Sequence, residues 1–276
     1  MSLTRDEICV LFARLRRPDA LPPPRSLSDL LHSRLDRGHA VRLDAEEATL
    51  FMTAAVEIWQ RAVHSFVLSV ALTRVSYLWS SVSGYYASHY AVRAVGHLHG
   101  FVSLFQRHAF LEMTLAGGRF ACRETGGLPR NKRREHQFYW NVVRRLPDFN
   151  ANVVFPENEE DDEGASDASH RNHANYADHL DRFTVIAGVS VDELRDRIGT
   201  VATAALEAVP NVPNRMAYPD LANVMAMAYL RIYRFREYVD GVLPTGNPFW
   251  RASRDAEWFR NVMRFPPRPT DGIRAG

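Results

Sequence analysis

Cysteine and lysine are nearly missing from this chain. Cys9 and Cys122 are the only two cysteines in 276 residues. Two isolated thiols cannot build a multi-cysteine zinc site, and they point to a reducing, cytoplasmic setting rather than a disulfide-stapled secreted fold. Lys132 is the only lysine among 34 Lys and Arg residues, so nearly every cation is a guanidinium. Genomic base composition accounts for much of that bias, yet arginine's planar fork also suits a phosphate, to which it donates two bonds at once. No run of 18 apolar residues occurs, and the apolar stretch Phe51–Ser76 is interrupted by Glu57, Gln60, Arg61, His64 and Arg74, so no membrane-spanning helix is expected. The start, MSLTRDEICVLF, lacks the basic opening and cleavage site of a secretory signal. A Gly-rich phosphate loop, a serine nucleophile elbow and an HExxH pair are missing as well, which removes the chemistries they carry. The net charge of +2 is too small to name a partner.

What the chain has is apolar residues at helical spacing. They make up 46% of it, enough for the core of one elaborated domain or of a domain with an extension. The stretch around which the rest is organised is Trp79–Phe101, WSSVSGYYASHYAVRAVGHLHGF, with the length and spacing of one long, mostly buried helix. Its small residues Ser83, Gly84, Ala87, Ser88, Ala91 and Ala94 let neighbouring helices come close. An apolar stripe of Val82, Tyr85, Val92 and Val95 runs beside a second stripe of Tyr86, His89 or Tyr90, Arg93 and His97, which step by three or four residues onto one face. Gly100 is placed to cap the helix C-terminus. A polar stripe on a buried helix is either a hydrogen-bonded seam or the wall of a site. Aromatic stripes of this spacing favour the seam, and spacing alone leaves both open.

Elsewhere the pattern is helical with one interruption. Thr4-x-x-Glu7 is a capping box opening a short helix to about Arg17. Pro18 and Leu21-Pro22-Pro23-Pro24 break the chain, and Ser28–Arg37 reads as another short helix. These make a helical N-terminal arm, residues 1–43. Asp44 caps a long helix to about Val70, with Phe51, Ala55, Ile58 and Ala62 on one face, and this helix forms an antiparallel hairpin with the organising helix. Phe110–Glu124 carries Gly117-Gly118 between short apolar runs, the signal of a β-hairpin. Arg133–Leu146 reads as a helix, Pro147–Ser169 as a polar loop, acidic from Glu157 to Glu163, and Ser169 caps a helix to about Ile186. Residues 188–276 form a helical C-terminal extension. Ser190-x-x-Glu193 opens one of its helices, Asp220–Val242 is a long second one, and an aromatic segment follows from Asn247. The expected fold is therefore all-α, an antiparallel helical bundle with a small β-hairpin insert.

Two stretches carry a family resemblance. The run S-G-Y-Y-A-S-H-Y-A-V-R-A-V resembles the second helix of the HEPN superfamily through Tyr85, Tyr86, Ala87, Ala91, Arg93 and Ala94. The later run S-H-R-N-H-A-N-Y-A-D-H, Ser169–His179, resembles that superfamily's late helix, which bears Arg, a polar residue and then His four to six intervening positions on. Arg171 and Asn172 match the start, and Tyr176 stands at the first position open to the His. Ala174 and Tyr176 also fit the branch that reads R-x-x-A-D-Y, with Asn175 in place of Asp. The likeness spans about residues 44–187, so that stretch is expected to be a HEPN-like core. The departure is the histidine: His173 comes too early and His179 too late. A helical step of eight residues moves about 12 Å along the axis and returns to nearly the same face, so Arg171 and His179 line one groove without sharing one oxygen. The literal pattern does occur at Arg25/His32, Arg34/His39, Arg93/His99 and Arg130/His136, as often as chance placement predicts.

The resemblance implies an RNA-targeting protein acting as a homodimer, without cofactor or metal. In one form it is a metal-independent endoribonuclease of a toxin or phage-defence system, with a cognate antitoxin or system protein as partner. There a 2′-hydroxyl attacks the adjacent phosphate, and an Arg and a proton-transfer group repeated across a twofold axis supply charge, base and acid. Arg171, Asn172, His173, Tyr176 and His179 are the catalytic candidates. Arg93, Arg130, Lys132, Arg133, Arg134 and His136 are candidate RNA contacts. In the other form it is a non-catalytic dimerisation or interaction module. Tyrosine in place of histidine fits that form, because a phenol with a reference pKa near 10 is a poor base. Simpler structural roles stay open too. Arg171 and Asn172 could cross-link helices, Tyr176 could be a buried aromatic, and the basic cluster could be a solvated face. His97-x-His99 and His170-x-x-His173 have no thiol or carboxylate beside them to complete a metal site.

Overall fold

Thr4 does cap a helix. Its side-chain oxygen accepts from the Glu7 N–H at 3.3 Å while the Glu7 carboxylate accepts from the Thr4 N–H at 2.8 Å, and α1 runs Arg5–Arg14. The computed structural model describes residues 2–15, 26–35, 40–73, 75–104, 109–125, 135–150, 196, 221–243 and 247–254. Within them the order continues as α2 Leu27–Arg34, β1 Val41–Leu43, α3 Ala45–Leu72, α4 Tyr77–Leu98, β2 Phe101–Leu104, β3 Ala109–Ala116, β4 Arg119–Glu124, α5 Glu135–Val143, α6 Pro147–Asn150, α7 Leu221–Val242 and α8 Pro248–Arg254. No described helix is long and apolar enough to cross a membrane.

The protein is mainly helical, but it is not all-α. Its described residues include a four-stranded antiparallel sheet in the order β1-β4-β3-β2. The hairpin read from Gly117-Gly118 is β3–β4, and both glycines have the positive φ, 58° and 73°, that a two-residue hairpin turn needs. The two flanking strands are the correction. β1 has three residues and β2 four, too short for alternation to stand out from neighbouring helical pattern. Phe101, expected to end the organising helix, instead opens β2. That helix stops at Leu98, and Gly100 turns the chain at φ +88°. A Cβ on Gly100 would lie 2.9 Å from the Met113 carbonyl, and the Gly100 carbonyl accepts from the Met113 N–H at 2.7 Å. α2 is capped by Ser26, two residues ahead of the expected start, and Pro147–Asn150 is a helical turn where a loop was expected.

The chain divides into two units, and α3, α4 and α7 each continue from one into the other. The first comprises Met1–Trp59, Val92–Leu146 and Phe235–Ala256. It holds the sheet, whose register (Val41↔Cys122, Met113↔Cys122, Val102↔Leu111) puts Val41, Leu43, Val102, Leu104, Leu111, Met113, Phe120 and Cys122 on one buried face. Its core also takes Ile8, Leu11 and Phe12 of α1 and Leu27, Leu30 and Leu31 of α2. Asp44 caps α3 by accepting from the Glu47 N–H at 2.7 Å, and Arg34 clamps the Glu47 carboxylate with both terminal nitrogens. Trp59 stacks on Phe235 and meets Trp250 at 5.1 Å between ring centroids. The Asn247 side chain donates to the Phe12 carbonyl.

The second unit comprises Gln60–Ala91, Pro147–Arg234 and Glu257–Gly276. Here α3 and α4 are stitched by paired serines. The Ser69 hydroxyl donates to the Ser80 carbonyl, and the Ser80 hydroxyl to the Ser69 carbonyl, both at 2.7 Å. Gly84 lets α7 in as well, since a Cβ there would lie 3.2 Å from both Ser69 Oγ and Val224 Cγ1. Phe66 of α3 meets Tyr229 of α7 at 5.7 Å.

Candidate functional site

The polar stripe of α4 is described end to end. In the first unit the key residue is Tyr139 of α5. Gly96 makes room for it: a Cβ there would sit 2.6 Å from the Tyr139 ring. The Tyr139 hydroxyl accepts from the Ser103 N–H at 2.9 Å, which ties α5 to β2. His97 stacks on the same ring with centroids 5.6 Å apart, and the Arg93 guanidinium carbon lies 5.5 Å from the ring centroid, a cation–π distance. His97 Nδ1 donates to the Arg93 carbonyl at 3.0 Å, the ordinary bond of a neutral imidazole. Only 3% of His97 is exposed. Burial first, and then the nearby Arg93 charge, push its pKa down to about 3, against the opposing pull of the Arg93 carbonyl. At neutral pH this ring is uncharged and a very weak base.

His99 is committed in a similar way. It is buried, its Nδ1 donates to the Leu3 carbonyl at 3.1 Å, and the Leu3 N–H donates back to the His99 carbonyl at 3.2 Å. Its ring packs on Tyr238, with the Arg5 guanidinium 5.3 Å from the Tyr238 centroid. The Cys122 thiol, buried on the core face of the sheet, is pushed up to about 12 by burial and is inert.

In the second unit the Tyr85-Tyr86-Ala87 step lies on the middle of α4. Tyr85 is fully buried and Tyr86 half-buried. Their rings meet edge to face at 5.4 Å, Tyr85 stacks on His89 and Tyr86 on Tyr90. One turn on, Ser88 Oγ accepts from Arg231 Nη1 of α7 at 2.9 Å, and Arg231 has no exposed surface. Arg231 stands in a run of basic and aromatic residues, Arg231–Tyr238, of the kind that suits an exposed helix end, yet it is buried. The signal was there: Val224, Ala228 and Ile232 trace the apolar face of α7, and Arg231 lies seven residues from Val224, on nearly the same side.

Of the expected site residues, Arg93 is the one whose side chain is described, and it lies over Tyr139. The backbone of His136 falls within α5, its side chain outside the described residues. Arg130, Lys132, Arg133, Arg134, Arg171, Asn172, His173, Tyr176 and His179 also lie outside the described residues. In the R-x5-H pair Arg93/His99, Arg93 lies over the Tyr139 ring, while His99 bonds to Leu3 and packs on Tyr238. No family model, curated protein or solved structure matches the chain.

Proposed function

We propose that the chain is a HEPN-like RNA-targeting protein. The observation that carries this reading is the Tyr85-Tyr86-Ala87 step on a buried helix, in a close-packed antiparallel hairpin with α3. A resembling family sequence requires such a helix, and the small residues at Gly84 and Ser88 serve its packing rather than leaving surface. In the catalytic form, Arg171 binds the scissile phosphate and Asn172 orients it. Tyr176, His179 or His173 moves the proton as the 2′-hydroxyl attacks the adjacent phosphorus and the 5′-oxygen leaves, giving a cyclic phosphate.

One observation favours the second form, a non-catalytic HEPN-type module. His89, His97 and His99 are each 3% exposed, and the last two spend Nδ1 on backbone carbonyls. These three histidines are therefore closed to an RNA, and a catalytic histidine has to come from outside this stretch, from residues 171–179 or from His136.

The experiment is cleavage of total tRNA in EDTA by wild type and by Arg171→Ala. The catalytic form expects cleavage with cyclic phosphate ends, lost by about a hundredfold or more in the variant. Absence of cleavage together with a stable dimer by mass measurement leaves the module form. Cleavage that survives Arg171→Ala moves the site to Arg130 and His136.

A further inference from the structure

The face of the sheet opposite the core has its own chemistry. Strand alternation and register put Arg119, Ala121 and Arg123 of β4, Arg42 of β1, and Thr114 and Glu112 of β3 on it together. Arg42, Arg119 and Arg123 are all exposed, and among the described residues none of the three guanidinium groups is held in a hydrogen bond or ion pair. Arg42 has Ala121 as its Cα partner, so Arg119 and Arg123 are its two diagonal neighbours, at about 7–8 Å. The outer two are about 13 Å apart along β4. Between them the floor is small: Ala121, paired with Thr114, both half-buried. At one end lies the tight Gly117-Gly118 turn, where the positions of a Cβ on either glycine have nothing within 4 Å. On the β2 side Phe138 of α5 stacks on Phe110 at 4.5 Å and meets Phe101.

We propose that this open sheet face binds the phosphate backbone of single-stranded RNA, with Arg42, Arg119 and Arg123 as its phosphate contacts. The inference rests on the RNA-targeting reading above and names a surface that reading does not use. Charge selects the partner. Among the described residues of this face, three guanidinium groups outside any hydrogen bond or ion pair stand against one carboxylate, Glu112, which lies between Arg123 and Phe101 in the register and turns a polyanion toward the β1–β4 side. An acidic protein is the poorer fit, because protein interfaces need a buried aromatic or aliphatic anchor, and the aromatic rings here are already packed on Phe138. A patch some 13 Å long on a sheet suits a few nucleotides of an extended strand rather than a duplex, which is read across successive grooves.

The test uses the full chain and a short fluorescent oligouridylate, followed by anisotropy across a salt series. Arg42→Glu/Arg119→Glu/Arg123→Glu loses about tenfold or more in affinity, and the slope of log affinity against log salt becomes shallower by about 2, as expected for three single-strand phosphate contacts. The triple lysine variant keeps the slope. Arg61→Glu, an exposed change on α3, leaves binding unchanged. If circular dichroism shows the charge-reversed protein unfolded, the triple alanine variant is read for the same slope. Wild-type affinity and slope in a folded triple variant overturn the platform and leave the RNA reading standing. Wild type that binds no RNA overturns both. Polyglutamate that displaces the RNA as well as unlabelled oligouridylate overturns the nucleic-acid assignment in favour of an acidic protein, and equal displacement by an unlabelled RNA duplex overturns the single-strand assignment.

Discussion

The helical face around Arg231 and the open face of the sheet use the same side chain in opposite surroundings. Arg231 has lost all contact with solvent and gives one of its donors to Ser88. Arg42, Arg119 and Arg123 keep theirs in water. A guanidinium taken out of water survives only where protein groups replace its hydration, so its removal disturbs everything packed around it. An exposed guanidinium contributes little to the fold, whatever it binds. In a chain with one lysine, residue type says nothing about which role a cation plays. Its position in the helical or strand period does.

The largest effect that would sharpen this contrast is at Arg231. Arg231→Ala leaves a cavity and strips Ser88 of its donor, and denaturant unfolding is expected to show a loss of about 3 kcal/mol. A loss below 0.5 kcal/mol would break the comparison, because the buried cation would then behave like a surface one.

A second, smaller effect tests whether burial also governs the polar seam on Tyr139. His97 is held neutral in the fold with a pKa of about 3, whereas in the unfolded chain it titrates near its ordinary value of 6.5. The unfolded state therefore takes up a proton first as pH falls. The His97 contribution is complete above pH 6.5 and is lost progressively toward pH 3, at up to about 1.4 kcal/mol per pH unit. His97→Gln should flatten the stability profile in that window, as read by chemical denaturation at a series of pH values. A profile of unchanged slope would mean that the ring is solvated. The smallest effect belongs to the sheet face: Arg42→Ala, Arg119→Ala and Arg123→Ala are each expected within about 0.5 kcal/mol of wild type in the same assay. A larger loss would mean that these side chains hold the sheet together.

Local signals were readable wherever a short-range bond enforces them. The Thr4/Glu7 box, the Asp44 cap, the Gly117-Gly118 turn and the stop at Gly100 all sit within a few residues of the atoms they satisfy. What was not readable depends on partners far along the chain. β1 is three residues long and becomes a strand because β4, some eighty residues later, offers its edge. The packing of α4's last turns depends on Tyr139, whose ring enters at Gly96 from another helix and which no spacing rule connects to His97. The burial of Arg231 was legible in the α7 period and was masked by the aromatic and basic residues crowding the same stretch. The Arg171–His179 candidates lie outside the described residues, so for them the motif remains the whole of the argument.

The bonds that hold α1 have a kinetic side. Leu3 meets His99 across a separation of 96 residues, and Phe12 meets Asn247 across 235. Closing such spans is entropically slow, and the contacts that reward it form only after the closure. On the ribosome α1 emerges well before Asn247, and the Phe12 carbonyl, already bonded to the Leu15 N–H at 3.0 Å, gains its second donor only when Asn247 follows. Through most of synthesis, Ile8, Leu11 and Phe12 form an apolar surface without its finished cover, open to a chaperone or to a neighbouring chain.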